Sequence, residues 1–383
     1  MFRKGGLEIG IICNTELKLL SGIENIRVRN FDESLSLTQI TSEFYIFRPT
    51  INLSELTIKN LKKTPAKLIA WMHVTPSVNT LRTLSKIEAV RGVVALGNRQ
   101  SFSWIDNPIS NKTYVIKNGQ FPSKIPATKF EKKYITYLGA LVPQKGFHVL
   151  AKAWPEIAAC NPHLELRVIG SGNLYDNSLK LGTLKISDQK YERKIVALLG
   201  DSISSVNFLG KLSAGEKSIE ISKSYLGIVN PTGNTENCPA AALDFQSAGI
   251  PVVGANKYGI IDTVQHKQTG YLIKREKDLA KTINWLVEKE FRRDFYASNT
   301  VNFVVQEFNF DKIILNWIEF MNKLDVGYIR QWHTFSETVN FGEKMALINS
   351  YVTRNYAGYL KWPTLTEIKI FIKSVLGIKG NKN

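Results

Sequence analysis

The sequence predicts an α/β protein with two doubly wound, parallel-sheet domains facing each other across a cleft, and a C-terminal helical segment. Three observations lead there. Short β-rich runs alternate with longer amphipathic stretches over most of the 383 residues, as expected of βαβ layers. A lysine-rich stretch at 119–133 breaks the rhythm with Pro122 and Pro126, in the manner of an exposed linker. A hydrophobic content of 44% with 10% aromatics supplies two cores and rules out a disordered chain.

Taken in order, residues 1–121 form a first, short domain, which either lacks an opening strand or starts truncated or misassigned. Its expected strands are 26–29, 44–47, 68–72, 93–96 and 114–116, with helices at 53–63 and 78–90. Residues 122–133 are the linker, and 134–325 form the second domain. Strands are expected there at 134–138, 165–169, 206–209, 226–230 and 252–254. Helices are expected at 147–159, 190–199, 214–223, 240–248 and 278–289. In the last segment, 326–383, Leu365, Ile368, Ile372 and Leu376 recur at helical spacing among lysines. Such a face either packs on its own protein or lies on an anionic membrane.

The net charge is +17, and residues 1–133 carry 20 Lys and Arg against 10 Asp and Glu. This bias fits a phosphorylated ligand, an anionic membrane or a nucleic acid, or simply a solvated basic surface. No nucleic-acid-binding motif accompanies it, so nucleic acid is not an expected partner. Cys13, Cys160 and Cys238 are odd in number and widely spaced, which points to a reducing cytoplasm. No apolar run reaches the ~18 residues of a membrane span. The histidines show no metal-ligand spacing, and no metal or other cofactor is expected.

Chemistry concentrates between residues 230 and 273. A strand ends near Asn230, a loop of Pro, Gly, Asn and Thr follows, and a helix is expected to start around Cys238–Pro239 with proline in its first turn. Helix amides and the positive end of the dipole suit phosphate. Glu236 precedes the helix and Asp244 follows eight residues later, a separation of roughly 12 Å. Two carboxylates so placed suit hydroxyls at opposite ends of a nucleotide-sugar. Read separately, Glu236 is a dipole partner and Asp244 a solvated helix residue.

This stretch resembles the signature of the family 4 (group 1) glycosyltransferases, which are retaining enzymes of the GT-B fold, two Rossmann-like domains facing across a cleft. Glu236, seven residues, Asp244 and then Ser247-Ala248-Gly249-Ile250-Pro251-Val252-Val253 carry the likeness. Gly259-x-x-Asp262 and Thr269-Gly270-Tyr271-Leu272 extend it. The resemblance implies that Glu236 contacts the donor sugar, that amides at Asn237 and Cys238 contact the β-phosphate, and that Asp244 takes the ribose hydroxyls. The family usually has Glu at this last position.

Residues 137–146, YLGALVPQKG, resemble the loop that opens the donor domain, with Gly139 at the strand end and Lys145 facing the diphosphate. Ala140 stands where the family has Arg. Gly170 and Gly172 resemble its paired glycines, and Leu209 and Gly210 the segment that reads the base. In the first domain, 68–75 resembles the strand ending in a cleft histidine, here His73, and Asn118-Gly119 the pair that closes that domain. Gly5 and Gly6 match the glycine pair near the donor phosphate.

The resemblance implies metal-independent transfer from a nucleotide-diphosphate-sugar to a glycan or lipid-linked acceptor, with cell-surface polysaccharide or lipopolysaccharide synthesis as the setting. Glu236, His73 and Lys145 would be the catalytic residues, in an enzyme that is cytoplasmic or peripheral on the inner membrane face. Two alternatives remain on sequence alone: a sugar-nucleotide epimerase of the same fold, and a basic binding protein without catalysis.

Overall fold

The computed structural model describes residues 10–13, 24–27, 44–123, 134–172, 179–288, 290–325, 345, 348–350 and 363–375. It divides into two compact units, Met1–Ile116 with Ile314–Asn383, and Lys117–Ile313. Gly5, Gly6, most of the expected linker and most of segment 326–383 lie outside the described residues. Among those described, no helix is long and apolar enough to cross a membrane.

In the first unit, β1 (Gly10–Cys13) pairs in parallel with β2 (Glu24–Arg27). The second sheet is parallel and runs β3 (Phe44–Phe47), β4 (Lys67–Met72), β5 (Val90–Ala95), β6 (Thr113–Val115) in spatial order. Helices α1 (Glu55–Lys63) and α2 (Val78–Lys86) make its first two crossovers, and α3 (Asn98–Phe102) lies in the third. Ser54 and Ser77 accept from backbone N–H groups three residues on, so each starts its helix by capping a free amide. The helix expected over 78–90 stops at Lys86, and Val90 opens β5. Leu84, Ile87 and Val90 continue a helical spacing through the turn, which hides the break from the sequence.

The second unit contains β7 (Tyr134–Leu138), α4 (Phe147–Cys160), β8 (Glu165–Ile169), α5 (Gln189–Leu199), β9 (Val206–Gly210), α6 (Ala214–Ser222) and β10 (Ser224–Val229). It continues with α7 (Ala240–Ser247), β11 (Val252–Ala255), α8 (Gly259–Thr263), β12 (Gly270–Ile273), α9 (Leu279–Glu288) and α10 (Glu290–Glu307). The sheet is wholly parallel, in the order β12-β11-β10-β7-β8-β9. From its other edge this is the 3-2-1-4-5-6 order of a dinucleotide-binding fold. The chain leaves β7 toward one edge and returns to the other side at β10. Loops at the carboxyl ends of β7 and β10 therefore diverge and leave a crevice. Below them, Tyr137, Phe147, Trp154, Leu166 and Ile228 form a closed core.

The unit division falls at Ile116, ahead of the linker expected at 122. Lys117 pairs with Glu307 at 2.9 Å, the Gln120 N–H donates to Phe308 O, and Phe121 stacks on Phe310 at 4.1 Å. These contacts tie 117–121 to the second unit. Helix α11 (Phe310–Asp325) then passes from the second unit into the first. There Trp317 meets Trp71 of β4 edge-on at 5.5 Å, and Phe320 packs on Tyr114 of β6 at 4.4 Å. The sheet of the first unit is thus covered by a helix from far along the chain.

Helix α12 (Leu365–Val375) is fixed at its start. Thr364 Oγ1 accepts from Glu367 N–H, buried Asp106 accepts from Leu365 N–H, and Arg82 of α2 grips the Glu367 carboxylate. Farther along it, Ile370, Phe371 and Ile372 are 60%, 68% and 49% exposed.

Phe320→Ala removes a fully buried ring between helix and sheet and is expected to cost about 3–5 kcal/mol. Urea denaturation should show an earlier transition in this variant, with the tryptophan fluorescence of Trp71 and Trp317 reporting it.

Candidate functional site

The two switch-point loops meet through side chains. Lys145 comes seven residues after β7, and Glu236 seven residues after β10. Lys145 Nζ lies 2.8 Å from Glu236 Oε1, and their side chains are only 23% and 11% exposed. The sequence assigned them to one site from positions 91 residues apart, and the fold brings them into contact. A pair this shielded keeps most of its attraction, and either charge alone would bear a desolvation cost.

Backbone geometry holds Glu236 from several sides. The Glu236 carbonyl accepts from Gly259 N–H at 2.9 Å. A side chain at 259 would place its Cβ 1.9 Å from the Asn237 carbonyl oxygen, so only glycine permits this approach. Thr235 and Tyr258 adopt positive φ of 61° and 47°, a conformation that costs non-glycine residues of order 1 kcal/mol or more and clusters at functional sites. Asn230 Nδ2 donates to Glu236 Oε1 at 2.9 Å.

Helix α7 begins at Ala240, as expected for the helix over 240–248, and Pro239 is its N-cap rather than a first-turn residue. Proline has no side-chain oxygen to offer, so no side-chain capping bond forms there, and Ala242 N–H bonds back to the Pro239 carbonyl. Cys238 is buried, and its thiol is pushed up to about 11 chiefly by that burial. It is a neutral group at physiological pH.

Asp244 on α7 is not near Glu236 in bonding terms. Its Oδ2 pairs with Lys217 Nζ of α6 at 2.7 Å, and its Oδ1 accepts from Gln120 Nε2 at 3.2 Å. The solvated reading of Asp244 is thereby corrected: it is gripped by two partners that the sequence did not single out. Lys217 and Gln120 lie 27 and 124 residues away from it, beyond any local spacing rule.

The glycines of the adjacent strand ends form a backbone-lined edge. Gly139 N–H donates to Ile169 O, and Gly170 N–H donates to Gly210 O. Gly170 has φ of 137°, and a Cβ there would lie 2.0 Å from the Gly139 carbonyl oxygen. Leu209 is half-buried on β9. Gly172 turns to the segment around 185–187, donating to Lys185 O and accepting from Ser187 Oγ. His73 belongs to the first unit, just beyond β4, with its ring 4.3 Å from that of Trp71. Among the described residues, no group of three His, Cys, Asp or Glu is arranged for a metal ion.

A glycosyltransferase domain follows from comparison with known proteins. Residues 121–301 match the family Glycosyl transferases group 1. An uncharacterized glycosyltransferase of Haemophilus influenzae is 26% identical over 277 residues, covering 69% of this chain and 71% of its own. The capsular polysaccharide biosynthesis glycosyltransferase CapM of Staphylococcus aureus is 24% identical over 217 residues, 56% of this chain and 52% of its own. Among solved structures, Anabaena HepE in complex with UDP and glucose superposes with a TM-score of 0.56 at 20% identity, over 70% of this chain and 75% of its own. Residues 121–301 are thus a group 1 glycosyltransferase domain, and the fold is of the GT-B type.

His73 gives a prediction that does not depend on substrate. Burial first, then the positive charge of Arg48, lowers its pKa from 6.5 to about 4. Between these values the unfolded chain binds a proton that the folded one refuses, so stability is full above pH 6.5 and falls as pH drops toward 4. The melting temperature should fall across that window and fall less in His73→Asn. His148 and His266, also lowered mainly by burial, add to the fall.

Proposed function

We propose that this glycosyltransferase moves a sugar, with retention and without a metal ion, from a nucleotide-diphosphate-sugar to a glycan or lipid-linked acceptor in cell-surface polysaccharide synthesis. The Lys145–Glu236 pair at the crevice between β7 and β10 carries the reading. Ligands of open α/β sheets bind at such switch points. In this reading the diphosphate takes Lys145 and the amides near Asn237, Cys238 and the start of α7. Positive charge preset in a shielded site stabilises the departing diphosphate. Glu236, released from Lys145, holds the sugar. Asp244 contacts the ribose, the edge of Gly139, Gly170 and Gly210 admits the nucleotide, and His73 serves the transferred sugar or acceptor. The match to a capsular polysaccharide enzyme favours the cell-surface setting.

An anionic membrane on the cytoplasmic face is the proposed site of work. Its support is the exposed trio Ile370, Phe371 and Ile372 beside exposed Lys369 on α12, on a chain of net charge +17.

Glu236→Gln should lower transfer about 100- to 1,000-fold with an unchanged circular dichroism spectrum; full activity would refute the assignment. In calorimetry with UDP, GDP and ADP, one nucleotide should bind, and Lys145→Ala should weaken it about tenfold or more. Chelators should leave the rate unaltered, and NMR of the product should show the donor's anomeric configuration. Vesicles containing phosphatidylglycerol should co-sediment the wild type more than Phe371→Asp, and less at high salt.

A further inference from the structure

Asn230 is the residue at this site whose properties nothing above has used. It is 2% exposed and sits at the first position after β10 with φ of 28°, in the left-handed region that asparagine tolerates better than most residues. Its side chain bonds at both ends. Oδ1 accepts from Thr232 Oγ1 at 2.7 Å and from Gly233 N–H at 3.1 Å, which folds the loop back on itself. Nδ2 faces the Asn234 carbonyl at 2.8 Å and Glu236 Oε1 at 2.9 Å, with Gln144 O from the other switch-point loop at 3.3 Å. One amide thus links the two loops and the carboxylate between them.

We propose that Asn230 is a positioning residue for Glu236, holding Oε1 so that Oε2 is presented to the donor sugar. The inference rests on the donor-site reading and deepens it. In the unliganded protein Oε1 has two donors, Lys145 and Asn230. Once a diphosphate draws Lys145 away, the Asn230 amide is the donor left on that oxygen. A carboxylate with one oxygen fixed has one oxygen and one direction to offer a sugar hydroxyl. Without the amide it rotates among orientations, and the productive one must be selected at each turnover. The effect therefore belongs to the rate of transfer more than to nucleotide affinity, which Lys145 and the backbone amides supply.

Asn230→Asp keeps the shape, the left-handed backbone and the acceptor for Thr232 and Gly233, while replacing the donor to Glu236 by a carboxylate oxygen; it also adds a negative charge beside Glu236 and Lys145, for which Asn230→Gly is the uncharged control. The probes are UDP-glucose, GDP-mannose and ADP-glucose, assayed for release of the nucleoside diphosphate. The wild type sets which is used. With that donor, kcat should fall about 10- to 100-fold, with KM and the calorimetric Kd of the matching diphosphate changing less than about threefold. Asn230→Gly, which keeps the backbone and removes the amide, should show the same split. An unchanged kcat in both variants overturns the proposal. So does a parallel collapse of melting temperature, Kd and kcat, or failure of both to fold, since either assigns Asn230 to loop structure alone. Glu236→Gln run alongside separates the two ideas: activity retained there removes the donor-site reading itself, whereas activity lost there with a wild-type rate in Asn230→Asp removes only the positioning role.

Discussion

A parallel sheet whose strand order reverses at one point has a single place where consecutive connections run apart, and here it lies between β7 and β10. The geometry of the second unit follows from that reversal. The loop after β7 brings Lys145 and the loop after β10 brings Asn230 and Glu236, so residues distant in sequence meet without any long excursion of the chain. The crevice exists because of backbone topology, and the charges at its rim are those of two side chains, Lys145 and Glu236. Glycines at 139, 170 and 259 let backbone approach backbone around it, closer than any side chain would allow at 170 and 259.

The ion pair at that rim is self-satisfied, and this has an energetic meaning. A lysine kept ready for an anion in a shielded crevice would carry an uncompensated charge, at a cost of several kcal/mol. Pairing with Glu236 removes the cost in the resting protein and defers it to the moment of ligand binding. In the proposed reading an incoming diphosphate, more negative than a carboxylate, would displace Glu236 from Lys145, and the freed carboxylate would keep the neutral Asn230 amide on one oxygen. Asp244 is held by a second, separate lysine and by Gln120, so the two acidic residues of the signature are each restrained from different elements.

Much of this was legible in the sequence. The strands at 134–138 and 165–169 read correctly because aromatic, β-branched and aliphatic residues cluster in each between clear breaks. Glu236 and Lys145 were legible as partners only through the family pattern, since no local spacing connects them. Asn230 was visible as a strand end and nothing more: its importance comes from hydrogen bonds to five other residues, and hydrogen-bond partners do not appear as periodicity. The helix over 78–90 was read too long because apolar spacing persisted past a turn at Ile87. Pro239 was read as a first-turn residue and is the N-cap of α7, because proline at a helix start fits both places. Strand β12, four residues long, is too short to show a period. The cover of α11 on the first unit's sheet is a long-range tertiary fact that composition does not encode.

That cover has a consequence for how the protein comes into being. The first unit is discontinuous: strands made early wait for Trp317 and Phe320, which leave the ribosome some two hundred residues later. At about 5–20 residues per second the delay is of order ten seconds or more. During that interval the second unit, continuous from Lys117 to Ile313, has all its strands available and is free to fold. The N-terminal half of the chain therefore matures last. A nascent β-sheet with an uncovered apolar face is the species that chaperones bind and that aggregates when they do not. Synthesis of this protein is most vulnerable before its last helices emerge, with its second unit already formed.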